Sequence, residues 1–116
     1  MKSLKLIGLA LGASFALSTA ALAQDIPVAV AGPMTGGESA FGRQMKNGAE
    51  MAVADSNASG GVLGKKLALQ VGDDACDPKQ ARSVAEKFAS SKIPFVAGHF
   101  CLSSSIPASE AYAEGD

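Results

Sequence analysis

Three short apolar runs, each followed by a segment in which apolar residues return every three or four positions, leave this chain little choice of architecture. The first run, "IPVAVAG" at 26–32, is continuously apolar, as a strand covered on both faces must be. After the loop "GPMTGGESAFG", Met45, Ala49, Ala52 and Val53 fall on one stripe of a helix expected over residues 42–57. "ASGGVLGKK" ends that helix, with Gly60 and Gly61 suited to a left-handed turn at its terminus. In "KLALQV", Leu67, Leu69 and Val71 alternate as a second strand, which runs into the acidic "GDDACD". Asp77 is placed to cap a second helix and Pro78 to open it, with Ala81, Val84, Ala85, Phe88 and Ala89 as its apolar face. "IPFVAG" at 93–98 reads as a third buried strand, and Ser103 or Ser104 as the cap of a third helix that reaches Ala113 at least.

The order is therefore β-α-β-α-β-α with short connections, which means a parallel sheet with helices on its faces and right-handed crossovers. A sheet of this kind holds its ligand beyond the carboxyl ends of the strands, where the winding reverses. In the common order 2-1-3 the reversal lies between the first and third strands, and the loops leaving them are "GPMTGGESAFG" and "GHFCLSSS". Ser103, Ser104 and Ser105 bring hydroxyls to the start of a helix whose first N–H groups are unpaired, a place for a carboxylate or another anion. The plain alternative is that one serine caps the helix and the others face water. Phe41 and Phe100, one from each flanking loop, would line the same crevice with an apolar wall; ordinary packing beneath a loop is their alternative.

Where the protein works is written at its front. "MKSLKLIGLALGASFALSTAALAQ" has Lys2 and Lys5, a mostly apolar stretch over 6–17, and the small-x-small triplet Ala21-Leu22-Ala23. This is the form of a secretory signal peptide covering 1–23, with Gln24 as the first mature residue and 24–116 as one domain. Gly12, Ser14, Ser18 and Thr19 interrupt the apolar stretch and no stop-transfer cluster follows, so export without membrane insertion is expected. Of ten Lys and Arg, two leave with the leader, so eight remain against eleven Asp and Glu. With no basic stripe and a single tyrosine, Tyr112, a nucleic-acid surface is not expected. Burial per residue is modest at this size. The chain also closes on "EAYAEGD" in mid-helical pattern, so the domain is expected to be the front piece of a longer one.

In an oxidising compartment the even cysteine count is informative, and a Cys76–Cys101 disulfide is the simplest pairing. Both cysteines follow strands at the same sheet edge, so the bond would clamp the third-strand loop to its neighbour. A zinc site from Cys76, His99, Cys101 and Asp73 or Asp74 has suitable ligand types but lacks paired C-x-x-C or H-x-x-x-H spacing. A Cys101–His99 nucleophile would be abolished by the disulfide, and no G-x-S-x-G surrounds any serine. "GGVLGKKL" has the wrong spacing for a phosphate loop, and Asp73-Asp74 read as solvated or capping carboxylates. No cofactor, no metal and no catalytic residue are expected.

Taken together, "DIPVAVAGPMTGGESAFG", "GGVLGKKLALQVGDDACDPKQA" and "VAGHFCLSSSIPASEAY" resemble the start of the periplasmic leucine/isoleucine/valine-binding proteins, the receptors of ABC importers. The resemblance covers residues 25–112 and is carried most specifically by "DDACDPKQA" with "GHFC…IPAS". It implies a type I periplasmic-binding fold of which this is an incomplete N-terminal lobe, a ligand held between two lobes, a Cys76–Cys101 disulfide, and a membrane permease as partner. It implies that Phe41, Phe100 and Cys101 line the cleft, and that the residue after Cys101 helps hold the ligand's α-carboxylate. Two positions depart from the family. Leu102 stands where a serine is usual, leaving its N–H or the neighbouring Ser103 to take that role, and Phe41 stands where tyrosine is common. An amide- or urea-type ligand on the same scaffold therefore stays open beside a branched-chain amino acid.

Overall fold

The structure, a computed structural model, describes residues 24–115; the proposed leader lies outside the described residues. Six elements alternate as the sequence requires: β1 (Ile26–Gly32), α1 (Ser39–Ala58), β2 (Leu67–Asp73), α2 (Pro78–Ser90), β3 (Val96–Ala97) and α3 (Leu102–Glu114). The sheet is wholly parallel in the order β2-β1-β3. β1 pairs along its full length with β2, from Ile26 opposite Leu67 to Gly32 opposite Asp73. It pairs with β3 only through Ala29–Val96 and Val30–Ala97.

The helix signals behave as their chemistry dictates. Asp77 accepts the Gln80 N–H at 2.7 Å and Pro78 occupies the first turn of α2, where a missing N–H costs nothing. Gly60 and Gly61 take positive φ after α1, and the Gly61 N–H returns to the Ser56 carbonyl at 2.8 Å.

Three boundaries differ from the sequence expectation. α1 starts at Ser39 and not at residue 42, because Gly42 is not a break: it is the buried point where the helix passes against the Pro33 carbonyl. α3 is capped by Cys101, without a side-chain bond, and not by Ser103 or Ser104; the Ser104 and Ser105 N–H groups turn back to the Cys101 carbonyl. β3 is two residues long and half-buried, not a buried strand over 93–98. Pro94 has no N–H to give, Phe95 lies exposed and lends only its carbonyl to Ala29, and Gly98 leaves the sheet at φ 134°.

The core follows β1, whose Ala29, Val30 and Ala31 are buried under helices on both faces. Phe88 of α2 packs on Ala29 and Ala31, with Val84, Ile93, Val96 and Tyr112 around it. Alanines then let α2 and α3 approach closely, through Ala85, Ala108 and Ala111. Arg82 spans the outside of that contact to Glu86 and Glu114, an exposed network of small energetic weight. The consequence for function is geometric: all three strands end on one side, and their loops are held there by a thin, alanine-rich support.

Candidate ligand-binding site

The loop leaving β1 is held by Asp73 at the end of β2. Its carboxylate accepts from the N–H groups of Met34 at 2.9 Å, Thr35 at 3.2 Å and Ala75 at 3.0 Å, and from the Thr35 hydroxyl at 2.6 Å. Partial burial disfavours the charged form, but the Thr35 hydroxyl and the three backbone donors outweigh it and hold the Asp73 pKa below the ordinary carboxylate range. Asp73 is a capping group, as one reading of the acidic pair allowed.

Asp74 is different. It is fully buried, at 0 % exposure, and not solvated. Its Oδ1 accepts the Cys76 N–H at 2.9 Å, its Oδ2 lies 2.6 Å from His99 Nδ1, and its own N–H bonds the Gly32 carbonyl. The other imidazole nitrogen, Nε2, is 3.1 Å from the Tyr112 hydroxyl of α3. In the tautomer that donates Nδ1–H to the carboxylate, Nε2 accepts the Tyr112 O–H, and every member of the chain is satisfied. Sequence reasoning weighed His99 only as a partner of Cys101 or a zinc ligand and missed this relay. The available signal was chemical: one histidine, one tyrosine and a doubled aspartate at a strand end, each in a segment that the topology brings to the same side of the sheet.

The disulfide forms. Cys76 and Cys101 are joined with their Cα atoms 5.5 Å apart, tying the loop after β2 to the loop after β3. The bond uses both cysteines, so the thiol nucleophile and the zinc site have no sulfur to work with. Among the described residues no group of three His, Cys, Asp or Glu could hold a metal ion.

Phe41 and Phe100 meet across the two flanking loops, with ring centroids 4.8 Å apart and planes 16° from parallel. They stay 46 % and 47 % exposed, so the stack is a surface, not core packing. Leu102, at 79 % exposure, projects from the first turn of α3 beside it. The three serines have separate fates. The Ser103 hydroxyl donates to the Cys76 carbonyl at 2.9 Å, which latches the helix start to the disulfide loop. Ser105 donates to the carbonyls of His99 and Cys101, and the Ser104 hydroxyl is buried with no partner among the described residues. Of the anion-binding features expected here, the open end of α3 with the Leu102 and Ser103 N–H groups remains, next to the aromatic stack.

Burial, and next to it the Asp74 carboxylate, push the Tyr112 phenol up to about 12 from its ordinary 10.0. A folded-state pKa above the unfolded value adds stability at lower pH that is lost as pH climbs from 10 toward 12. Since Tyr112 is the sole tyrosine, its phenolate absorbance reads this directly. The rise is expected near pH 12 in the folded chain and near pH 10 in urea. A midpoint near pH 10 in both would mean that the phenol is not held in a buried setting beside Asp74.

The family model described as periplasmic binding protein matches residues 25–115, the whole of the described chain but its first residue. The chain belongs to the periplasmic binding protein family. Among curated members, it is 48% identical over 114 residues to the Leu/Ile/Val-binding protein homolog 2 of Brucella abortus, covering 98% of this chain and 30% of that one. It is 52% identical over 101 residues to the Leu/Ile/Val-binding protein of Escherichia coli, covering 87% and 28%. A branched-chain amino acid ABC transporter protein from Rhodospirillum rubrum matches in structure with TM-score 0.75 and 28% identity, over 79% of this chain and 27% of that one. The isoleucine complex of the branched-chain amino acid transporter substrate-binding protein of Streptococcus pneumoniae matches with TM-score 0.75 and 25% identity, over the same 79% and 27%. The chain thus spans about 30% of the length of the curated relatives it matches. These periplasmic binding proteins share its parallel sheet, as the resemblance implied, and the family consists of solute-binding proteins, not enzymes.

Proposed function

We propose that this chain is the N-terminal, ligand-facing part of the solute-binding component of an ABC importer, and that it takes part in capturing a branched-chain or related amino acid. The observation that carries the reading is the Phe41–Phe100 stack, half-exposed beside the open N-terminal end of α3. An apolar side chain would lie against the rings, and an α-carboxylate would meet the Leu102 and Ser103 N–H groups and the positive end of the helix dipole. Cys101 fixes the loop between these two subsites through its bond to Cys76. The names of the relatives support amino acids as the ligand class. Closure of a second lobe would take the ligand out of water and complete its hydrogen bonds, and a membrane permease would receive it.

We place residues 1–23 as a signal peptide and 24–116 as a partial lobe delivered to the periplasm. No helix among the described residues is long and apolar enough to cross a membrane.

Leu102 supports a second reading: its exposed apolar side chain has no hydroxyl for a carboxylate, and a short amide would need none. Titrating the chain with leucine, valine, acetamide and urea while recording amide resonances separates the two. Leucine and valine are expected to shift Phe41, Phe100, Leu102 and Ser103, weakly, with a dissociation constant on the order of 1 mM because one wall acts alone. Shifts with acetamide or urea and none with the amino acids establish the amide reading. No shift at these residues with any of the four overturns both.

A further inference from the structure

His99 lies directly before the aromatic that forms half of the proposed ligand wall, and its side chain faces the opposite way. Phe100 is half in solvent; the His99 side chain is only 2% exposed. The imidazole is held on both nitrogens, by Asp74 at 2.6 Å and by Tyr112 at 3.1 Å. The backbone of the same residue is held as well, since its carbonyl accepts the Ser105 hydroxyl at 3.0 Å. Asp74 is in turn tied to the end of β1 through the Gly32 carbonyl and to the disulfide loop through the Cys76 N–H.

These bonds join the ends of all three strands to the third turn of α3. A residue fixed in this way has little freedom in φ and ψ, and the next residue inherits that restriction. The stack needs it. Phe41 rides on α1, which rests at Gly42 on the Pro33 carbonyl just past β1, whereas Phe100 sits on a loop that leaves a two-residue strand. So short a ladder cannot by itself hold a ring at 4.8 Å from its partner. The disulfide restrains the loop one residue further on, at Cys101, but leaves rotation about the Phe100 backbone open.

We infer that His99 is the positioning residue of the aromatic wall: through its hydrogen bonds to Asp74 and Tyr112 it sets the Phe100 ring against Phe41 from behind. It touches no ligand itself. The inference rests on the proposed reading only in calling the stack a ligand wall; the stack and its support exist without any ligand.

The test uses the full chain with isotope-labelled phenylalanine rings and no added ligand, comparing nuclear Overhauser contacts between Phe41 and Phe100. Wild type is expected to show them. His99→Asn, whose amide can still donate to Asp74 from nearly the Nδ1 position, is expected to keep them in good part. His99→Leu, which fills space but donates nothing, is expected to lose them. Leaving Asp74 unpaired could prevent that variant from folding, so Tyr112→Phe is the second variant. It removes one hydroxyl and leaves the ring, and should weaken the inter-ring contacts while the amide dispersion of a folded chain persists. Contacts at wild-type strength in folded Tyr112→Phe overturn the inference. Equal loss in His99→Asn and His99→Leu overturns it too, because the volume of the ring and not its hydrogen bonds would then hold the wall. Absence of amino-acid binding leaves this result unchanged, so the two proposals fail separately.

Discussion

Asp74→Ala is expected to cost about 2–6 kcal/mol of folding free energy, the cost of leaving two buried hydrogen-bond donors without their acceptor. The carboxylate has no contact with water and accepts on both oxygens, from the Cys76 N–H and from His99 Nδ1. Truncation would strand both donors in a site too enclosed for solvent to reach them, and each unsatisfied group costs about 1–3 kcal/mol. The neighbouring carboxylate supplies the control. Asp73 makes more hydrogen bonds, yet its Thr35 partners lie at the surface, so in Asp73→Ala water can take its place and the expected loss is about 1 kcal/mol. Asp74→Asn should fall between them, because it keeps an acceptor for Cys76 and presents an amide to His99. Urea denaturation of the three variants gives the order directly. Equal losses for Asp73→Ala and Asp74→Ala would show that the second carboxylate is not the buried anchor. At this chain length burial is modest, so Asp74→Ala is also expected to lower the yield of folded protein at physiological temperature.

The contrast between these adjacent aspartates marks the limit of what the sequence discloses. The alternation of strand and helix was legible because apolar periodicity changes sharply at each junction, from the unbroken "IPVAVAG" to the spaced Met45, Ala49 and Val53. The placing of Phe41 near Phe100 was legible for a topological reason. β1 and β3 are parallel neighbours, so the loops that follow them leave on the same side. The helix start at Asp77-Pro78 and the Cys76–Cys101 pair carried local signals that need no tertiary context. The short third strand was legible only in part: Pro94, which has no N–H to offer, already argued against a full central strand, but nothing in the apolar hexapeptide shows that its outer edge lacks a partner. The serines were not legible: which hydroxyl caps, which latches and which is buried depends on where the Cys76 carbonyl ends up. The His99 relay was least legible, because it joins single residues from the loops after β2 and β3 and from α3 that share no spacing rule.

Gly42 and Gly48 are six positions apart in α1, and the same substitution at each is expected to act with opposite sign. In an exposed helix interior glycine is unfavourable, because its unfolded backbone has more freedom to lose; replacement by alanine there gains about 0.5–1 kcal/mol. Gly48 meets that condition, since a Cβ built on it has nothing within 4 Å. Gly42 does not. A Cβ there would overlap the carbonyl of Pro33 and come within 2.9 Å of the Met34 nitrogen. Both are backbone atoms of the loop that follows the central strand, and the Met34 N–H is already bonded to Asp73. No rotamer change can relieve such a contact, so either α1 or the loop must move. We expect Gly42→Ala to lose about 3 kcal/mol, the upper part of the range for overpacking, with the helix-propensity gain of alanine already subtracted. The displacement should also appear at Phe41, one residue away, as weakened ring contact with Phe100. Thermal and urea unfolding of the two single variants and their double decide the matter. Gly42→Ala as stable as wild type would mean that α1 does not rest on the Pro33 carbonyl, and the aromatic wall would then lack its fixed half.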